Sequence, residues 1–270
     1  VNAFKVSYTN WLPQGATFVF FHHMYNSNNF KHLNMAILSY GQVGWRSSAV
    51  APVSGIVTSG LILNLDAGNA SSYNGSGTLW TDLSPTGNNG TLVNGVGYTS
   101  ANGGILTFDG INDRVSSFPT QFPSTTSKTI DMWFKTNSTV RQGLCGVRNA
   151  STGWVFTINR TSAGNLTYFH TGQGVIEMSA GITTNTWYNA VMTYDSTNGT
   201  VKFYLNSNLL GTGNAGGYNS SSFTGVIGDE DNSFTTPFNG NISQTKMYNR
   251  VLSASEITQN YNATKTRFGL

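Results

Sequence analysis

Cysteine occurs once in the 270 residues, at Cys145, so an intrachain disulfide and a cysteine-built metal site are both excluded. The framework must be held by packing. Charge is scarce as well. Asp, Glu, Lys and Arg together make up 9% of the chain, against a usual share of about 25%, and Asn, Ser, Thr and Gly take over the task of keeping the surface wet. That is the surface chemistry of extracellular or virion-exposed β proteins. The 14 Lys and Arg outnumber the 11 Asp and Glu for a net charge of +3, yet they are spread thinly along the sequence. Nucleic-acid binding is therefore not expected. No apolar run approaches the roughly 20 residues of a membrane-spanning helix, and the N-terminus lacks the basic-then-apolar layout of a secretory signal.

Glutamate is rarer still, at Glu177, Glu230 and Glu256 only. Glycoside hydrolysis needs a pair of carboxylates flanking the scissile bond. The Glu-x-Asp-x-x-Glu strand of glucanases does not occur, and neither do a Gly-x-Ser-x-Gly elbow, a phosphate-cradling loop or a His-Glu-x-x-His helix. No catalytic residue is assigned, and the chain is read as not an enzyme. Asn-x-Ser/Thr sequons recur at Asn69, Asn74, Asn89, Asn159, Asn165 and Asn241, which a composition this rich in those residues produces by chance.

What is present is strand after short strand. Trp187 to Gly213 reads as a β-meander, with Val201, Phe203 and Leu205 facing a core and Thr200, Lys202, Tyr204 and Asn206 facing solvent. Asn198-Gly199 offers the positive-φ residues of a tight hairpin. Lys128 to Lys135 alternates in the same way, with Ile130, Met132 and Phe134 on one face and Asp131, Trp133 and Lys135 on the other. Such a meander needs a second sheet to cover its apolar face. One helix is expected, where Ser253-Ala254-Ser255-Glu256 has the spacing of a capping box and Leu252, Ile257 and Tyr261 supply an apolar side. The fold class is all-β, a two-sheet antiparallel jelly-roll sandwich with a short C-terminal helix.

Residues 1–59 differ from the rest and form a small β-rich extension, with strands expected at Thr17–Met24 and Met35–Tyr40. Its aromatic residues, Trp11, Phe18, Phe20, Phe21 and Trp45 among them, are read as an attachment or oligomerisation surface, because so few residues without disulfides or metal rarely build their own core. His22, His23 and His32 invite a metal reading, but adjacent strand residues point to opposite faces, so packing among the aromatics is the better account. Pro52 to Gly60 reads as a linker into a second domain, residues 60–270.

Residues of that second domain resemble a known family. Leu63-Asn64-Leu65-Asp66-Ala67-Gly68, Trp80-Thr81-Asp82-Leu83-Ser84 and Leu106-Thr107-Phe108-Asp109-Gly110-Ile111-Asn112-Asp113 are similar to the laminin-G-like, concanavalin A-like jelly roll. Trp187-Tyr188 leading to Phe203-Tyr204-Leu205-Asn206, and the ending Tyr248-Asn249-Arg250-Val251-Leu252-Ser253-Ala254-Ser255-Glu256-Ile257, follow the same pattern. One departure is Asn206-Ser207-Asn208, where the family often has Asn-Gly. The closing Gln259-Asn260-Tyr261-Asn262-Ala263 and Arg267-Phe268-Gly269 look like the version carried by structural proteins of tailed phages. That resemblance implies a non-enzymatic virion surface protein, of the capsid-decoration type, with other virion proteins and further copies of itself as partners. The alternatives left open are a carbohydrate-binding module of a tail fibre or secreted adhesin, recognising host glycans, and, after it, a glycoside-active enzyme on the same scaffold.

The densest oxygen-ligand cluster is Asp229-Glu230-Asp231-Asn232. Calcium takes about six to eight oxygen ligands, so Asp229, Asp231, Asn232 and, from a neighbouring turn, Asp113 are the calcium candidates. An acidic solvated turn is the plainer reading of the same residues. Trp154, Tyr168, Tyr218 and Phe234 are aromatic residues that either stack on sugars or pack in the interior. No sugar site is assigned.

Overall fold

The computed structural model describes the backbone of residues 18–25 and 31–38, and residues 55–118, 126–148, 153–171, 174–216, 225–231 and 235–270. The chain divides into two compact units, Val1–Val53 and Ser54–Leu270. In the first, β1 (Phe18–Tyr25) and β2 (Lys31–Leu38) pair antiparallel, with His22 opposite Asn34 and Met24 opposite His32. The second β strand thus starts well before the expected Met35. Trp11 and Trp45 lie outside the described residues.

The second unit runs through β3 (Leu61–Asp66), β4 (Leu79–Trp80), β5 (Gly90–Val93), β6 (Gly97–Thr99), β7 (Ile105–Asp109), β8 (Arg114–Phe118), β9 (Lys128–Thr136), β10 (Gln142–Arg148) and β11 (Gly153–Ile158). It continues with β12 (Asn165–His170), β13 (Gly174–Ser179), β14 (Trp187–Asp195), β15 (Thr200–Leu205), β16 (Asn208–Asn214), β17 (Gly225–Ile227), β18 (Asn239–Tyr248) and α1 (Ala254–Thr264). They form two eight-stranded antiparallel sheets. Sheet I has the order β16-β15-β14-β9-β18-β7-β6, with β3 also on β18, and sheet II the order β13-β12-β11-β10-β17-β8-β5-β4. This is the concanavalin A-like jelly-roll sandwich.

The period-two pattern places the core where alternation predicts. Ile130, Met132 and Phe134 of β9 and Val201, Phe203 and Leu205 of β15 meet Trp154, Phe156, Ile158 and Tyr168 of sheet II between the layers. The opposite face of sheet I is where the alternation misleads, because it is covered and not solvated. Tyr204 is buried there with Val191, Tyr248, Leu252 and Ile257, and Trp133 is buried with Trp187 and Phe268.

The cover is the C-terminal helix and the 3-10 turn that follows it. Ser253 caps α1 through the expected box, its side chain accepting from Glu256 N while the Glu256 carboxylate accepts from Ser253 N. Arg250 adds a fork onto Glu256, and this arginine, against the cost of partial burial, holds the carboxyl down at about 2. The Trp133 ring stacks on Phe268 at 4.1 Å and on Tyr261 at 5.7 Å, and its indole N–H donates to Thr264 Oγ1. Under the helix, Asp131 accepts from Asn189 at 2.7 Å and Asn260 at 3.0 Å, and faces the Lys246 amine at 3.7 Å. A buried charge is tolerable only when its lone pairs are satisfied in this way.

Residues expected as the end of a linker belong to this cover. Val57 N donates to Asn260 Oδ1 and its carbonyl accepts from the Tyr248 hydroxyl, so the sandwich begins several residues before Gly60.

Both meander turns differ in detail from the expectation. In the first, Gly199 alone takes a positive φ, of 73°, while Asn198 uses its side chain to accept from Thr200 N and donate to Asp195. In the second, Asn206 (φ 48°) and Ser207 (φ 67°) join the paired residues Leu205 and Asn208, the two left-handed central residues of a type I′ hairpin. Serine at the second position carries a Cβ penalty that glycine escapes. Replacing Ser207 by Gly is expected to raise stability by roughly 0.5–1 kcal/mol, read as a higher denaturant midpoint at unchanged slope. A lowered midpoint would contradict this account of the turn.

Candidate functional site

The outer face of sheet I is closed by its own helix, and the outer face of sheet II is built differently. Strand register fixes what it presents. Gly143, Thr157, Thr167 and Glu177 lie side by side across β10, β11, β12 and β13, and Gly146, Val155, Phe169 and Val175 form the next row. Arg148, opposite Gly153, extends β10 beyond them.

A loop lies over the two glycines. After β17 the chain turns at Gly228, whose N–H donates to Leu144 O, and returns so that Gly143 N donates to Thr236 O at 2.8 Å. A Cβ on Gly143 would sit 2.2 Å from the Asp229 carbonyl carbon, and one on Gly146 would sit 2.0 Å from Glu230 O. Glycine in a strand interior commonly marks such a close backbone approach. Here the approach sets Glu230 on the sheet, its side chain 1% exposed.

Three of the seven arginines in the chain converge on that carboxylate. Arg141 grips it with a fork, Nε to Oε1 at 2.5 Å and Nη2 to Oε2. Arg148 and Arg160 each bring Nη1 to 3.5 Å from Oε2. Their guanidinium planes stand over the Phe169 ring, 5.2 Å and 4.5 Å from its centroid, a contact that fixes them in place. Arg160 has its pKa lowered, first by burial and then by the like charges of Arg141 and Arg148, against the pull of Glu230. Arg148 Nε and Arg160 Nη1 are buried without a hydrogen-bond partner among the described residues, as are the hydroxyls of Thr157 and Thr167, both fully buried.

Glu177 borders the same face. It accepts from Thr161 Oγ1, from Asn165 Nδ2 at 2.9 Å and from Ser162 N at 3.3 Å. Burial pushes its pKa up, but these bonds outweigh it and the net shift is downward. That is the opposite of what a general acid needs.

The acidic cluster read as a calcium candidate is placed as follows. Asp229 Oδ1 accepts from Glu230 N, Thr236 N and Thr236 Oγ1, bracing the loop, and burial raises its pKa. Asp113 Oδ2 accepts from Asp109 N, and burial raises its pKa also. The two turns meet through backbone, since a Cβ on Gly228 would lie 3.5 Å from Asp113 O. Asn232 lies outside the described residues and Asp231 inside them. Among the described residues no three His, Cys, Asp or Glu side chains are grouped to hold a metal ion.

Two of the aromatic residues left open between sugar stacking and interior packing take the second place. Trp154 and Tyr168 are fully buried between the sheets, because β11 and β12 turn their even-numbered residues inward. Tyr218 and Phe234 lie outside the described residues. Of the attachment residues, Phe18, Phe20 and Phe21 fall on β1. The sandwich interior also holds Lys128, its amine 5.1 Å from the Trp154 ring and 5.4 Å from that of Tyr194, with burial pushing its pKa down to about 7. His170 is pushed down to about 3, chiefly by burial. Both are closed off from any substrate.

The arginine cluster was not visible in the linear sequence. Arg141, Arg148 and Arg160 stand on a loop, a strand end and another loop, in no motif. The pair Gly143 and Gly146 inside a strand was the available signal.

A family model described as the concanavalin A-like lectin/glucanases superfamily matches residues 108–258. No curated protein sequence matches the chain. Among solved structures, the chain is similar to the binding domain of Paraclostridial Mosquitocidal Protein 1 (TM-score 0.57, 15% identity, 76% of this chain and 52% of that one). It is similar also to domain 4 of AbnA, a GH43 extracellular arabinanase from Geobacillus stearothermophilus, in complex with arabinotriose (0.60, 15%, 76% and 100%). A third is Trypanosoma rangeli sialidase with the inhibitor DANA (0.59, 16%, 77% and 34%). The chain thus spans about half of the toxin binding domain and about a third of the sialidase.

Substituting Ala for Gly143 is expected to lift the loop from β10 and cost about 1–3 kcal/mol, as overpacking does. Thermal denaturation would show it as a lowered midpoint, and an unchanged midpoint would mean the loop does not rest on this strand.

Proposed function

We propose that this chain, which belongs to the concanavalin A-like lectin/glucanases superfamily, is a non-enzymatic glycan-recognition module that binds through the outer face of sheet II. The observation that carries this reading is the contrast between the two outer faces. One is sealed by α1 and its aromatic stack, whereas the other presents Phe169 with its stacked arginines, a half-exposed Glu177 and an exposed Val175. Ring surface beside fixed polar groups is what a carbohydrate site requires. The likeness to domain 4 of the arabinanase, solved with arabinotriose, and to a toxin binding domain supports the same reading.

Binding is favoured over turnover by the state of the acids. Glu230 is tied to arginine, Glu256 to the helix cap and Glu177 to three donors. Asp229 is raised in pKa but 1% exposed, out of reach of a glycosidic bond.

The experiment is a polysaccharide panel, neutral and acidic, probed with the wild type and Phe169→Ala. At least one ligand should bind, and the variant should lose roughly tenfold or more in affinity, as central aromatic contacts do. Silence across the panel would remove the glycan reading.

We place the module on the surface of a virion of tailed-phage type, with the aromatic unit Val1–Val53 as its attachment. The low charge and the Asn-, Ser-, Thr- and Gly-rich surface support this. Imaging of purified particles should find residues 1–53 seated in a capsid or tail lattice, and a chain free of any particle would count against it.

A further inference from the structure

We infer that the ligand of this face is an anionic glycan, whose carboxylate or sulfate oxygens are taken by Arg148 and Arg160. The inference rests on the reading of sheet II as a glycan-binding face and names the chemistry of what binds there.

The argument starts from charge. Arg141, Arg148 and Arg160 meet one buried carboxylate, that of Glu230. Three cations face that carboxylate, and Arg160 also feels the charge of Glu177. In a chain with 9% charged residues such an excess on one patch is a local concentration of positive field, held over buried strand residues where water screens it poorly.

Hydrogen bonding points the same way. A carboxylate offers about four lone-pair sites, and the Arg141 fork engages both Glu230 oxygens. Arg148 and Arg160 are left at 3.5 Å, close enough for ionic attraction but with donors to spare. Arg148 Nε and Arg160 Nη1 make no hydrogen bond among the described residues. Buried donors without acceptors are rare in native proteins. Two planar guanidinium groups, both held against the Phe169 ring, match a planar carboxylate or the oxygens of a sulfate ester. A neutral sugar hydroxyl would leave the excess charge unanswered.

Glu230 has a defined part in this arrangement. It consumes Arg141 and lowers the mutual repulsion of the three cations, so that Arg148 and Arg160 stay in place before a ligand arrives. Preorganisation of that kind lowers the cost of binding.

The test measures affinity for heparin, for polygalacturonate and for neutral arabinan and mannan, using the full chain and the variants Arg148→Gln, Arg160→Gln, Arg160→Lys, Phe169→Ala and Lys202→Gln. Lys202 lies on β15 in sheet I and serves as the charge-matched control. Thermal denaturation accompanies each variant, and Arg160→Lys, which keeps the charge, guards against loss through misfolding.

An acidic polysaccharide should bind, with roughly tenfold or greater loss in each Arg→Gln variant, partial loss in Arg160→Lys and none in Lys202→Gln. Preference between heparin and polygalacturonate then distinguishes sulfate from carboxylate. Equal losses in Lys202→Gln would reveal diffuse charge attraction and overturn the inference. Binding of a neutral polysaccharide that depends on Phe169 but not on either arginine would overturn it while sparing the glycan-binding face. Absence of binding to all four would overturn both.

Discussion

Two missing side chains in β10 set the terms for the whole outer face of sheet II. Because Gly143 and Gly146 carry no Cβ, the backbone of Asp229 and Glu230 can lie directly on the strand. That contact takes a carboxylate that would otherwise sit in a solvated turn and fixes it over a sheet. Once there, it needs counter-charges, and Arg141, Arg148 and Arg160 supply more than it can use. The basic character of the face is therefore a consequence of backbone packing, with the side chains following.

The two sheets solve the same problem in opposite ways. Each has an inner face buried against the other and an outer face that has to be reconciled with water. On sheet I the chain returns with α1, covering Trp133, Tyr204 and Tyr248 with apolar residues and answering the buried Asp131 with Asn189, Asn260 and Lys246. On sheet II, among the described residues, a loop returns over β10. The charge it brings is met by Arg141, Arg148 and Arg160.

Much of this was legible in the alternation of residues. Ile130, Met132 and Phe134 identified their core face, Ser253 and Glu256 identified the helix start, and the motifs from Leu63 to Ile257 pointed to the sandwich. The opposite face of the same strands was misjudged because Tyr204 and Asp131 are polar enough to read as solvated. Trp133, among the polar positions of β9, was the residue that argued otherwise. The arginine cluster escaped for a different reason. Its members are brought together by register across β10 to β13 and by a loop from β17, so spacing along the chain carries no trace of it. In the sequence Glu230 is one acid in a run of acids, whereas its place is decided by glycines some 85 residues earlier.

The position of β18 has a further consequence, one of timing. This strand pairs β9 along one edge and β7 and β3 along the other, so it is the seam joining the two halves of sheet I. It is also the last strand among the described residues, and the helix that covers it comes after it. A ribosome releasing this protein from its N-terminus presents two partial sheets with open edges until residues 239–248 emerge. Contacts of such long sequence separation make folding slow, and exposed strand edges invite pairing with other chains meanwhile. Synthesis of β18 and α1 is thus the step at which an aggregation-prone intermediate becomes a closed sandwich.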